Sequence, residues 1–186
     1  AKLSEEAARC VLQNLDIQQS TGPAIVLSET DLSVLDRVLI REGETNAVIA
    51  GSSEFSMIGC VIWSNRYSPL LLNDGVGLDV TNSVIEASGL GRYCFLSPTT
   101  AVIRANHNNY YIRNGAQIAA INNLQYPRLP QWVRASAQDR YSLSRDPLFH
   151  SPTNGDFHLR SVAGRYQPGF GWVQDTSDPA LPDYSP

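Results

Sequence analysis

The sequence predicts an all-β chain wound as a parallel β-helix, on three observations. Residues 12–27, 35–50, 58–73 and 81–96 share one layout: an apolar stretch ending in isoleucine, a polar loop, then a second apolar stretch. The isoleucines, Ile17, Ile40, Ile62 and Ile85, stand 23, 22 and 23 residues apart. Ile25, Val48, Leu70 and Tyr93 keep the same spacings, each eight residues beyond its isoleucine. A fixed period of this length marks a solenoid, in which each unit buries the apolar face of the next.

The first stretch of each repeat supplies an inward strand. Side chains alternate along a strand, so Leu15, Val38, Cys60 and Ser83 point inward with the isoleucine ladder two residues on. A leucine-rich repeat competes for this half, because Met57, Cys60, Ile62 and Asn65 fit its skeleton, as do Leu35, Val38 and Ile40. The second halves decide against it. They are short, β-prone and bounded by turn residues, where that architecture wants a helix or irregular chain. Two strands per coil, stacked at about 4.8 Å, are therefore expected over residues 10–105. The outward slots Asp16, Leu39, Val61 and Val84 are mostly aliphatic, and Val26, Ile49 and Phe95 are outward candidates on the second strands. A sheet facing water usually alternates with polar residues. The tail 106–145, with Trp132 buried, or a protein partner is expected to cover these strips.

From Asn106 the period breaks into a long aromatic-rich extension, 106–145, followed by a terminal coil, cap and tail, 146–186. Asp146–Pro147 favours turn initiation, and Asn154–Gly155 supplies a tight reversal between Phe149 and Phe157. Asn108 to Tyr111, Trp132, Gln138–Asp139 with Ser142, Asp146 to Phe149, and Gly155 to Leu159 follow one another in a recognisable order. In them the sequence resembles the C-terminal part of bacterial extracellular right-handed parallel β-helix proteins of the pectate-lyase-like superfamily. The resemblance implies a single right-handed β-helix domain over 1–186, belonging to a longer chain, in an extracellular, periplasmic or cell-surface setting. It also implies a module that binds and in some members processes polysaccharide, as a lyase or glycoside hydrolase. Other members are non-catalytic surface proteins, so the alternative is an assembly module docking to proteins through its apolar outer face.

Composition narrows the partners. Fourteen Lys and Arg against eighteen Asp and Glu give a net charge of −4, and Lys2 is the sole lysine, so no basic block suits nucleic acid. No apolar run reaches bilayer length. The start lacks methionine and a signal-peptide core, which reads as a processed product or a piece of a longer chain. Cys10, Cys60 and Cys94 read as small buried thiols. No cofactor or metal is expected. The stretch Asp74 to Val80, with Gly75, Gly77 and Asp79, holds one copy of a calcium-like pattern that needs consecutive copies. His107, His150 and His158 lack ligand spacing, and His158 alternates outward.

The candidate substrate-binding residues are Glu42, Glu44, Trp63, Arg66, Tyr67, Glu86 and Arg92. They fall in the loops after the isoleucines and project to one side because they share a phase. Rings stack on pyranose faces, and charges bond hydroxyls or uronates. No position is assigned as general acid or base, although stacked coils can supply the 5–10 Å between carboxyls that a glycosidase needs.

Overall fold

A computed structural model of the chain describes residues 2–3, 10–160, 165–167 and 171–173, with side chains over 10–160. Two compact units divide at Arg145 and Asp146. The first is a parallel β-solenoid of three sheets. The first sheet stacks Lys2–Leu3, Ile25–Ser28, Val48–Gly51, Leu70–Leu72, Tyr93–Ser97 and Gln117–Ile121. The second stacks Val11–Gln13, Ser33–Asp36, Glu54–Ile58, Gly77–Thr81 and Val102–Asn106. The third stacks Asp16–Gln18, Leu39–Arg41, Val61–Trp63, Val84–Ser88 and Asn109–Arg113. Each coil thus carries three strands, not two. The leucine-rich alternative falls with them, since the second half of each repeat is strand.

The isoleucine ladder is observed. Ile17, Ile40, Ile62 and Ile85 are successive register partners in the third sheet, and Tyr110 extends the row into a fifth coil. All but Ile17 are at most 1% exposed, and full burial of such a side chain stabilises by about 1.5–3 kcal/mol. Regular winding therefore continues to Ile121 rather than stopping at 105. The companion ladder shifts in the fourth coil, where Leu70 pairs with Phe95 and not with Tyr93. Phe95 is accordingly fully buried instead of outward. Two residues more than in earlier coils separate Ile85 from this partner, and Gly89 and Gly91 at positive φ accommodate them.

Second-sheet and third-sheet strands meet at a sharp corner whose pivot has positive φ in every coil: Asn14, Arg37, Gly59, Asn82 and His107. Only Gly and, less readily, Asn adopt this region without penalty. The stacked backbone bonds around each pivot hold the others there, as where Arg37 N–H donates to the Ile58 carbonyl at 2.8 Å. Leu15, expected inward, sits just past the first pivot and is exposed, whereas Val38, Cys60 and Ser83 are buried as expected.

The extension caps the end of the stack instead of lying on an outer strip. Leu124–Tyr126 turns back antiparallel along Gln117–Ile121 and covers the first sheet's edge. The helix Leu129–Ser136 follows, with Pro130 in its first turn and Ala137 closing it at φ 58. Trp132 is buried, but it stacks on Phe95 at 5.9 Å and meets Tyr126 edge-on. Ala119, beside Phe95 in register, is small enough to admit the ring. Residues 138–143 then run beside the last coil, with Leu143 bridging Asn109.

In the second unit, Phe149–Ser151 and Asp156–Leu159 pair antiparallel around the 3-10 turn Pro152–Asn154, with Gly155 at φ 79. The expected reversal is there, as a hairpin rather than a further parallel coil. Arg165–Gln167 and Gly171–Val173 form a second antiparallel pair. The end of the expected tail, 174–186, lies outside the described residues.

Cys60 and Cys94 are buried free thiols, while Cys10 is half-buried. Burial pushes both buried thiols up, and at Cys94 the charges of Glu86 and Asp139 add to it. Burial and then the Asp139 charge likewise push the Tyr110 hydroxyl well up. The folded chain keeps protons that the unfolded chain releases, from about pH 8.5 for thiols and about 10 for tyrosine. Stability is therefore full below about pH 8.5 and declines as pH rises beyond it. The urea midpoint should fall between about pH 8 and about pH 10, and fall less steeply in Cys94→Ala. A midpoint flat across that range contradicts this.

Candidate functional site

Register places the predicted residues in two groups. Trp63 ends a third-sheet strand and Glu86 lies within the next one, so both are strand residues and not loop residues. The outward row runs Gln18, Arg41, Trp63, Glu86, Tyr111. Glu42, Glu44, Arg66, Tyr67 and Arg92 lie in the loops that lead on to the first sheet. Those loops stack rung on rung: Glu42 N–H donates to the Trp63 carbonyl at 3.0 Å, and Arg66 N–H to the Gly43 carbonyl at 2.8 Å. A Cβ added at Gly43 would lie 2.4 Å from Asn65 Oδ1, which accepts the Gly43 N–H at 3.2 Å, so the Asn65 amide would have to shift.

Trp63, Glu86, Tyr111 and Arg113 form one cluster. Residues two coils apart start about 9.6 Å from each other, yet the Trp63 and Tyr111 rings stack at 5.6 Å and 16° across the intervening Glu86. The Glu86 side chain is 1% exposed. One carboxylate oxygen accepts the Arg113 guanidinium, with Nε at 2.8 Å, and the other accepts the Ser64 N–H. A buried carboxylate is tolerated when it is paired in this way. The guanidinium also sits over both rings, 5.8 Å from Trp63 and 5.3 Å from Tyr111. With both oxygens engaged, Glu86 holds the cluster together.

Next along the loops, Arg92 lies 4.3 Å over the Tyr67 ring, which is 42% exposed, and Arg66 is exposed beside it. The Glu42 carboxylate makes its contacts in the first two coils. Glu42 meets Arg41 at 3.5 Å and Gln19 at 3.4 Å, while Arg41 bonds both oxygens of Asp16. Glu42 and Glu44 therefore belong to the second coil, and the predicted rings, with Arg66, Arg92 and the buried Glu86, to the third and fourth. Tyr111 and Arg113 were not among the predicted residues. Their signal was the Asn108 to Tyr111 element, hidden by a spacing of 25 between Ile85 and its partner Tyr110.

A second buried constellation closes the stack. Asp139, 1% exposed, accepts from Trp132 Nε1 at 2.7 Å, the Tyr110 hydroxyl at 2.9 Å, Ser142 Oγ at 2.6 Å and Asn108 Nδ2 at 3.3 Å. Asp79, of the calcium-like stretch, pairs with Arg104. In the second unit His150 and His158 both approach Asp156, at 3.1 and 2.7 Å. Among the described residues no group of three or more His, Cys, Asp or Glu is arranged to hold a metal ion, and no helix is long and apolar enough to cross a membrane.

Fold and clusters together define a parallel β-helix with an aromatic and arginine-rich face along its third sheet and the loops that follow it. Comparison with protein-family models, curated proteins and solved structures returns no match.

Proposed function

We propose that this chain is an extracytoplasmic parallel β-helix module that binds polysaccharide along the third sheet and its following loops. The observation that carries this is the convergence of Trp63, Tyr111 and Arg113 over Glu86, next to the Tyr67–Arg92 pair, whose tyrosine is exposed. Stacked coils repeat at the spacing of strands, so a polymer lying along the axis meets Trp63 and Tyr111 on one row and Tyr67 on the loops beside it. The rings offer flat faces to sugar rings, and the arginines offer fixed forks of donors to hydroxyls or carboxylates. The order of elements from Asn108 to Leu159 supports placement among bacterial extracellular β-helix proteins of the pectate-lyase-like superfamily. Glu86 is spoken for, which favours binding over processing. Processing would fall to Glu42 or Glu44, whose carboxylates are less enclosed.

The test is a glycan array with a reducing-end assay on hits. Trp63→Ala with Tyr67→Ala should weaken binding at least about tenfold, equivalent to about 1.4 kcal/mol. Because Trp63 also pairs with Tyr111, worth about 0.5–1.5 kcal/mol, the folded fraction is measured alongside. Full affinity in the folded double variant moves the site elsewhere. Turnover lost in Glu42→Gln would establish processing.

A second reading rests on the half-buried outward aliphatics: Leu39, Val61 and Val84 in the third sheet, and Val26, Ile49, Leu71 and Leu96 in the first. The cap packs Trp132 at the end of the stack and not on these strips. As a non-catalytic assembly module the chain would close them against another protein, and sedimentation would show association where a monomer is otherwise expected.

A further inference from the structure

We infer a separate binding site for a neutral, hydroxyl-rich ligand, a saccharide unit, at the corner between the second and third sheets of the last two coils. It takes its ligand class from the polysaccharide reading above, but its residues are different ones. A shallow cleft of about 390 Å³ opens there, with Asn82, Val84, His107, Asn109, Tyr141 and Leu143 on its walls. Among the described residues, no Asp, Glu, Lys or Arg lines it. Nothing in it neutralises a phosphate or carboxylate, which separates it from the arginine-rich loop face and from the neighbouring cleft containing Arg104 and Arg140.

The cleft carries a built aromatic platform. The rings of His107 and Tyr141 stack at 5.4 Å and 19°, yet Tyr141 remains 72% exposed. Both residues are held by backbone. His107 is a corner pivot at φ 57, and its N–H donates to Asn106 Oδ1 at 3.1 Å. Tyr141 N–H donates to the same oxygen at 3.0 Å, and the next two residues are tied by Ser142 N–H to Asp139 O and Leu143 N–H to Asn108 O. Such a platform costs little ordering on binding. Around it stand polar groups without a partner among the described residues: the Asn82 amide, Asn109 Nδ2, the His107 imidazole and the Tyr141 hydroxyl. Asn109 uses only its oxygen, to accept Arg145 N–H at 3.2 Å. Donors and acceptors of both kinds, beside a flat ring and the half-buried methyls of Val84, match the mixed polar edge and apolar face of a pyranose.

Neutral β-1,4-glucose and N-acetylglucosamine hexasaccharides, titrated into the isotope-labelled full chain by NMR, test this. Perturbations should centre on Asn82, His107 and Tyr141. Tyr141→Leu, which keeps apolar contact with His107 but loses the ring, should weaken binding at least tenfold with an unchanged melting curve. Asn82→Ala should weaken it severalfold. Perturbations confined to the loop face would overturn the corner site while leaving the polysaccharide reading intact. Perturbations confined to the corner would uphold it and sink the loop face. Binding unchanged in Tyr141→Leu, no perturbation by either hexasaccharide, or tighter binding of adenosine at the same residues each overturns it.

Discussion

Ile62→Asp should not fold. Ile62 is 0% exposed at the centre of its row, with Ile40 and Ile85 as register partners. Shortening an isoleucine in such a core costs about 2–5 kcal/mol as alanine. Aspartate adds a carboxyl group for which the surrounding aliphatic row offers no donor, at several kcal/mol more. The sum reaches the whole stability of an ordinary domain, about 5–15 kcal/mol. The expected result is insoluble protein, or soluble protein without a cooperative melt by circular dichroism. Two controls locate the cause. Ile62→Val should cost only about 0.5–1.5 kcal/mol, and Ile17→Asp, at a half-buried rung of the first coil, should be milder than Ile62→Asp. A soluble Ile62→Asp chain melting cooperatively within about 1 kcal/mol of the parent would contradict a continuous inward ladder.

The ladder could be read from sequence because an in-register solenoid repeats its core residue type at a fixed spacing. The third strand of each coil could not. Leu12, Leu35, Met57 and Val80 are register partners in the second sheet, but two residues then lead into the next strand. The two strands therefore read as one apolar stretch. What separates them is a backbone dihedral, and the pivots that adopt it include Arg37 and His107 beside the more telling Gly59, Asn14 and Asn82. Side-chain identity signals that conformation only weakly. The fifth coil was hidden for a different reason: a tyrosine replaced the ladder isoleucine and the spacing lengthened, so the pattern seemed to end where the winding did not.

The candidate site was half legible on the same grounds. Trp63, Tyr67, Glu86 and Arg92 were visible as residue types that share a phase. Pairing Trp63 with Tyr111 across Glu86 depends on the fifth coil being in register, so it was invisible once that coil was missed. The burial of Glu86 likewise depends on Arg113, two residues past Tyr111. The apolar outer strips were read correctly as outward in the third sheet. The tail does not supply their cover, because Trp132 has a better place at the open end of the core, against Phe95, than on a half-exposed strip.

That end is where the other large effect is expected. Asp139→Ala should destabilise the chain by about 3–5 kcal/mol and make it self-associate. Truncation leaves Trp132 Nε1 and the Tyr110 hydroxyl as buried donors without their acceptor, each costing about 1–3 kcal/mol. Tyr110→Phe, which removes one donor and leaves Asp139 its other bonds, should cost only about 1 kcal/mol. Asp139→Asn keeps the volume and tolerates the φ of 57, but it turns an amide N–H₂ toward donors and should fall between the two. Association follows from what the network holds in place. Asp139 N–H donates to the Ala105 carbonyl at 2.7 Å, Gln138 Oε1 accepts Ala105 N–H at 3.2 Å, and Leu143 exchanges bonds with Asn108 and Tyr110 at 2.7 and 2.9 Å. Those contacts occupy the outer edges of the last strands in the second and third sheets. Released, the edges present unpaired N–H and C=O groups to other chains. Light scattering at a temperature where both variants remain mostly folded should therefore rise for Asp139→Ala and stay flat for Ile62→Val. An Asp139→Ala chain that stays monomeric and loses no more stability than Tyr110→Phe would show that the strand edges are protected by something other than this clasp.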